Sequence, residues 1–422
     1  MKQVNIITNS SDIFNIYIYV PAGSIYEYDG IRGISHLLEH MLMKHTKNFT
    51  NKELFKEITK IGGISNAGTS KDVTYYYIKT HIDNYKISLK IMNDIINFPI
   101  FTEKELEKEK KIVLEEFAQR SDDIEDKVDD TSTLSVLEEK NNYSHVIRGD
   151  RKDIMNISIS DLKKYYNLTY KNYILIINCD KKFKKLVINE TSKYFNNNNV
   201  NISKNLIVPK NVNLIRNEGL VSVVDYENIT QFITILAFPT YPIKMIKEIA
   251  ILNFIKFIIT SSGFNSILFT EIREKRGLVY RISSYNEDYR YLGILKIQFS
   301  STNPDTQYII SIILSYLKNL IVNGLSESRL KYFKLSFINK TKYIFSQDEI
   351  REQWYSNSLF YDLNITVPEY IKLIKNITNE DIKKASKYIF NFKKMGVATY
   401  GNYKDKNIEK EILDIKNTYH SI

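Results

Sequence analysis

The chain has 422 residues, a length that suits two or three domains better than a single core. Hydrophobic residues make up 43% and charged residues 26%, while Gly and Pro number only 14 and 7, which excludes collagen-like, low-complexity and linker-dominated chains. Lys and Arg (59) exceed Asp and Glu (49) to give +10, but the excess falls in a chain rich in Ile, Lys and Asn, so it reads as solvated surface and not as a nucleic-acid footprint.

In chain order, Ile13-Phe-Asn-Ile-Tyr-Ile-Tyr-Val20 is β-branched and aromatic and ends at Pro21, which predicts a strand closing in a turn. Helices are expected over 33–44 and 51–61, the second stopped by Gly62-Gly63. A strand over 66–80 and helices over 81–97 and 103–120 follow. After a further apolar strand at 173–179, the polar stretch 196–213 is the expected linker. The order then recurs: a strand at 231–238, helices at 245–259 and 267–275, strands to 284 and at 292–300, and helices from 306 and 323. Counted from Pro239 as from Pro21, the place of His36 in the second half falls near Phe254, where no ligand stands.

The lone cysteine, Cys179, cannot form an internal disulfide and lies in an apolar strand, so a cysteine nucleophile is not expected. The first residues lack the features of a signal or transit peptide, and the most apolar windows are interrupted by Lys256 and Lys318. A soluble, cytoplasmic protein that engages neither membrane nor nucleic acid is the expectation.

Chemistry concentrates in His36-Leu-Leu-Glu39-His40. On a helix the two histidines stack one turn apart, and Glu39 leans toward the same face. Two imidazoles suit zinc, and the carboxylate is placed to act as general base. With six histidines in the whole chain, this spacing is a specific signal. His45 should point away from the pair, and His81, His145 and His420 have no such partners. A third ligand must come from elsewhere; in the charged helix from Glu103, Glu109 and Glu116 lie two turns apart on one face, with Glu115 turned aside.

His36-Leu-Leu-Glu-His40 followed by Glu109-Lys-Lys-Ile-Val-Leu-Glu-Glu116 resembles the insulinase and pitrilysin family of zinc peptidases with the inverted H-x-x-E-H motif, and the length is similar to its processing-peptidase-like branch. The resemblance implies zinc held by His36, His40 and Glu116, one ion per chain, with Glu39 as general base and Glu109 in support of the ligands. Gly62-Gly-Ile-Ser-Asn-Ala-Gly-Thr-Ser70 is similar to the family's substrate-pairing edge strand, which implies peptide binding at Asn66 and Ala67. Leu268-Phe-Thr-Glu-Ile-Arg-Glu-Lys-Arg-Gly-Leu-Val-Tyr280 resembles its Arg-to-Tyr signature, which implies that Arg273 and Tyr280 bind the substrate carbonyl.

These implications add up to an α+β fold of two similar domains, each a largely antiparallel sheet with helices packed on it, together half of a clamshell. The zinc-binding domain is expected over 1–205 and a metal-free domain with the Arg/Tyr motif over 206–422. The expected activity is zinc-dependent endopeptidase cleavage of extended or unfolded peptides in a closed chamber, completed by a homodimeric or heterodimeric partner. The rivals are a non-catalytic scaffold subunit of the same fold and a basic nucleic-acid-binding protein.

Overall fold

In the computed structural model, which describes residues 5–9, 11–195, 209–226, 229–302, 305–403 and 407–420, the strand β2 (Ile13–Val20) lies at the centre of a sheet and is buried from Phe14 onward. Its alternation assigns the two faces. Phe14, Ile16, Ile18 and Val20 enter an apolar core, while Asn15, Tyr17 and Tyr19 face a helix described below.

The first sheet has the order β1-β5-β2-β4-β3, with β1 at Asn5–Asn9, β3 at Ile64–Thr69, β4 at Thr74–His81 and β5 at Ile174–Asp180. All neighbours are antiparallel except β1 and β5. Helices α1 (Ile34–Leu42), α2 (Asn51–Lys60), α3 (Tyr85–Asn97) and α4 (Glu103–Asp122) are interleaved with these strands. Leu54 and Ile58 of α2, Ile91 and Ile95 of α3, and Leu106 and Val113 of α4 join the same core as β2. The single strand expected over 66–80 is instead the β3–β4 hairpin. Its turn is closed by Ser70, whose N–H donates to the Val73 carbonyl (2.8 Å).

The second sheet repeats the plan as β6-β10-β7-β9-β8, with β6 at Val221–Asp225, β7 at Phe232–Thr240, β8 at Arg281–Asp288, β9 at Gly293–Ser301 and β10 at Gly396–Gly401. The helix expected over 245–259 ends its α-helical part at Lys256 and continues as a π-helical turn over Phe257–Ser261. A second π-helical turn covers Phe269–Glu274.

The chain forms two compact units, and a single cut at 205/206 does not describe them. One unit contains residues 1–119, 145–210 and 352–360; the other contains 120–144, 211–351 and 361–422. Helix α5 (Ile124–Val136), from the first half of the sequence, packs on β7 and β10. There the fully buried Lys296 donates to Asp129 (2.8 Å) and Thr133 (2.9 Å) of α5 and to Glu287 (2.9 Å) of β8. Conversely, residues 352–360, from a helix over Asp348–Phe360, pack on the first sheet. Buried Glu352 accepts hydrogen bonds from Asn15 (2.7 Å) and Tyr17 (3.0 Å), and Phe360 lies against Tyr19. These exchanges depend on tertiary packing and leave no mark in local sequence. Of the expected linker, residues 196–208 lie outside the described residues. Among the described residues no single helix is long and apolar enough to cross a membrane.

Candidate metal centre

Helix α1 starts at Gly33, whose φ of 92° is a left-handed conformation that glycine adopts without strain. A Cβ there would come within 2.5 Å of the Arg148 carbonyl oxygen, so the chain passes too close for any other residue. Ile34, Leu37, Leu38, Met41 and Leu42 bury one side of the helix in the core. That packing leaves His36, Glu39 and His40 together on the remaining side. The two imidazoles lie 4.7 Å apart between ring centres at an interplanar angle of 74°.

Helix α4 brings the third group. Glu116 Oε2 lies 3.6 Å from His36 Nε2, and its Oε1 lies 3.8 Å from His40 Nε2. One ligand atom from each of these three residues falls within 4.8 Å of the others. Two turns earlier on α4, Glu109 Oε2 is 3.2 Å from His40 Nδ1, and its Oε1 is 3.0 Å from Lys44 Nζ. Glu109, which is buried, thus faces Nδ1 of His40, while Glu116 faces Nε2. Of the two glutamates left open by sequence spacing, it is Glu116 that groups with the His36 and His40 ligand atoms. Glu115 is exposed, and His45 turns to Glu105 at 3.6 Å, away from the pair.

Glu39 accepts a hydrogen bond from the Thr69 hydroxyl at 2.6 Å. No sequence motif marks Thr69 on β3 or Lys44 in the turn after α1, because folding brings each to its carboxylate from a distant segment. Burial raises the Glu39 carboxyl above its usual value, with the Thr69 bond opposing. For Glu109, burial works upward, yet the bonds from His40 and Lys44 hold it below the ordinary carboxylate value. For His40, burial works downward but is outweighed by Glu109, Glu116 and Glu39, so its basicity is raised. The field at the His40 imidazole is thus one that favours a cation. Two imidazole nitrogens and a carboxylate oxygen are the donor types that zinc takes in a catalytic site with an open position, and the residues present fit that ion.

Asn66 and Ala67 stand on β3, which pairs with β4 on one side and is the edge of its sheet. The Ala67 N–H is bonded to Asn66 Oδ1 at 2.9 Å. Arg273 and Tyr280 belong to the other unit, where the Arg273 guanidinium lies over the rings of Phe269 (4.8 Å) and Tyr280 (5.8 Å). Tyr280 is 76% exposed.

The repeat of plan locates the counterpart of the cluster within the second unit, and it differs from the sequence expectation. Pro21 follows β2, whereas Pro239 lies inside β7 opposite Ile294, so the two prolines are not equivalent. Measured from the last residue of each strand, Val20 and Thr240, His36 corresponds to Lys256 and not to Phe254, and His40 to Thr260. Measured from the helix starts Glu103 and Glu327, Glu116 corresponds to Lys340 and Glu109 to the buried Phe333. Lys256 donates to Asn286, and Lys340 to the Ser261 carbonyl (2.9 Å). Ammonium groups stand where a metal would need an imidazole and a carboxylate.

Residues 4–147 match the family model described as Insulinase (Peptidase family M16), and residues 180–336 match that described as Peptidase M16 inactive domain. The His/His/Glu cluster falls entirely within the first match. A protein of Rickettsia felis named Uncharacterized zinc protease is 26% identical over 90% of this chain and 90% of its own. The human mitochondrial-processing peptidase subunit beta is 30% identical over 38% of this chain and 32% of its own. A crystal structure of a protease from Helicobacter pylori shares the fold with a TM-score of 0.84 at 21% identity, covering 94% of this chain and 96% of that one. With both domain models matched and the likeness extending along nearly the whole length, the chain belongs to the insulinase family of peptidases, family M16.

Proposed function

We propose that the chain is a zinc-dependent endopeptidase that hydrolyses extended or unfolded peptides, with one zinc ion held by His36, His40 and Glu116. The observation that carries this reading is the meeting of His36 Nε2 and His40 Nε2 with one carboxylate, Glu116, at 3.6 and 3.8 Å. Relatives named as zinc proteases support it.

Zinc in such a site supplies Lewis-acid polarisation of the scissile carbonyl and makes water a stronger acid. The protein's own groups do the remaining work. Glu39 takes a proton from the attacking water and delivers it to the leaving amine. Thr69 occupies one of its oxygens and keeps the other turned to the reacting groups. Glu109, held by Lys44, fixes the His40 ring so that Nδ1 is the donor and Nε2 keeps its lone pair. The edge of β3 at Asn66 and Ala67 pairs with an extended peptide backbone, which gives affinity with little sequence preference.

Arg273 and Tyr280 donate to the carbonyl oxygen as it gains charge. A dimer with a homologous chain, each completing the other's site within a closed chamber, is the assembly proposed here; the naming of a relative as a beta subunit supports a two-chain arrangement. The test is metal content of the purified chain together with cleavage of a quenched peptide library with and without chelator. About one zinc per chain and chelator-sensitive cleavage are expected. Chelator-insensitive cleavage, or a chain with no zinc, contradicts the reading; zinc without cleavage favours the non-catalytic subunit.

A further inference from the structure

We propose that Glu27 is a positioning residue for the metal cluster: its buried carboxylate holds the first turn of α1 and thereby aims the His36 imidazole. The inference rests on the metal-centre reading above.

Glu27 lies in the connection between β2 and α1 and is 3% exposed. Its Oε2 accepts the Gly33 N–H at 2.7 Å, and its Oε1 accepts the Ser35 N–H at 2.9 Å. The first amides of any helix lack partners within the helix, and here Gly33 has no side chain to supply one. At four other helices the capping oxygen comes from the residue at the cap itself: Thr50, Ser158, Thr366 and Thr378. Only at α1, among these, does a buried carboxylate from outside the helix take two amides at once. Such charge-assisted bonds are stronger than neutral ones and fix direction as well as distance.

Ser35 immediately precedes His36, so the clamp sits next to the first imidazole. His40 is already oriented at its own ring by Glu109. His36 emerges from the helix turn that Glu27 holds. Side-chain tips lie about 6 Å from a helix axis, so a twist of about 10° in this turn would displace Nε2 by about 1 Å. Metal-ligand distances tolerate about 0.2 Å. The nine-residue length of α1 leaves little helix to resist such a twist. Ser35 Oγ is in turn 2.8 Å from the buried Tyr165 hydroxyl, which ties the same turn to a second element.

Burial pushes the Glu27 carboxyl up to about 7, with the two amides opposing, so the measurement belongs at pH 8, where the carboxylate is ionised. Zinc affinity is read by competition with a chromogenic chelator for wild type, Glu27→Gln and Glu27→Asp, beside melting temperatures of the zinc-free proteins. Glu27→Gln offers one amide an N–H instead of an oxygen and should raise the zinc dissociation constant about tenfold. Glu27→Asp, which keeps the charge but draws it back, should weaken binding in the same direction and serves if the Gln variant fails to fold. A clamp with no part in metal binding would lower the zinc-free melting temperature and leave the dissociation constant within twofold of wild type; that result in the folded variants overturns the proposal. A wild-type chain that takes up no zinc overturns instead the metal reading beneath it.

Discussion

His40 Nδ1 lies 3.2 Å from Glu109 Oε2, and the carboxylate of that buried residue is shared with Lys44 Nζ at 3.0 Å. The bonds from His40 and Lys44 outweigh burial and hold Glu109 below the ordinary carboxylate value, and the ionised glutamate selects the imidazole tautomer with its proton on Nδ1. Glu109→Gln should therefore weaken zinc binding by about 10- to 100-fold while the variant remains folded. Chelator competition beside circular dichroism reads both quantities. Wild-type affinity in the variant would leave Glu109 as a mere packing group.

Thr69 gives a prediction about the base. Thr69→Val removes the hydroxyl bonded to Glu39 Oε2 at 2.6 Å and preserves the shape of the side chain. We expect kcat for a peptide substrate to fall about tenfold, with KM and zinc content little changed, and Thr69→Ser to restore most of the loss. Steady-state kinetics of the two variants decide this. Equal loss in Val and Ser variants would point to a packing role.

His145 makes the fold sensitive to acid. Burial and the nearby Arg32 and Lys71 cations lower its pKa from 6.5 to about 4. The folded protein thus binds this proton less readily than the unfolded chain. Its stabilising contribution is complete above pH 6.5 and is lost as pH falls toward 4. The loss should amount to about 1–2 kcal/mol, a figure reduced for the solvent that still reaches this half-buried ring. Denaturant titrations at pH 7.5 and 4.5 should show a smaller difference for His145→Gln than for wild type.

Completion of the site by a partner chain predicts complementation. Glu39→Gln and Tyr280→Phe chains should each be impaired, and a verified mixed dimer of the two should recover part of the wild-type activity. Fluorescence cleavage assays on refolded mixtures measure this. Activity no greater than that of the separate variants would place both residues in the same functional site of one chain.

The most legible part of the molecule is α1, because His36, Glu39 and His40 lie about one helical turn apart and their spacing alone places them on one side. Glu116 was less so. Choosing it over Glu109 depends on how α4 packs, a relationship between distant segments that spacing leaves open. Thr69 and Lys44 were not legible, since each acts on a group that tertiary folding brings to it. The β3–β4 hairpin looks like one strand in the sequence because Ser70-Lys-Asp-Val73 lacks the Gly or Asn-Gly pair that marks tight hairpin turns. The π-helical turns at Phe257–Ser261 and Phe269–Glu274 carry ordinary helix-like sequence. The exchange of α5 and of residues 352–360 between units was invisible, because amphipathic helices do not specify which sheet they cover.

The central claim is that Glu39 serves as the general base beside a zinc ion that it does not itself hold. The most direct measurement is zinc content and peptidase turnover of Glu39→Gln in parallel with wild type. The variant should retain about one zinc per chain and lose at least about 1000-fold in kcat. Retained turnover with normal zinc content would contradict the account.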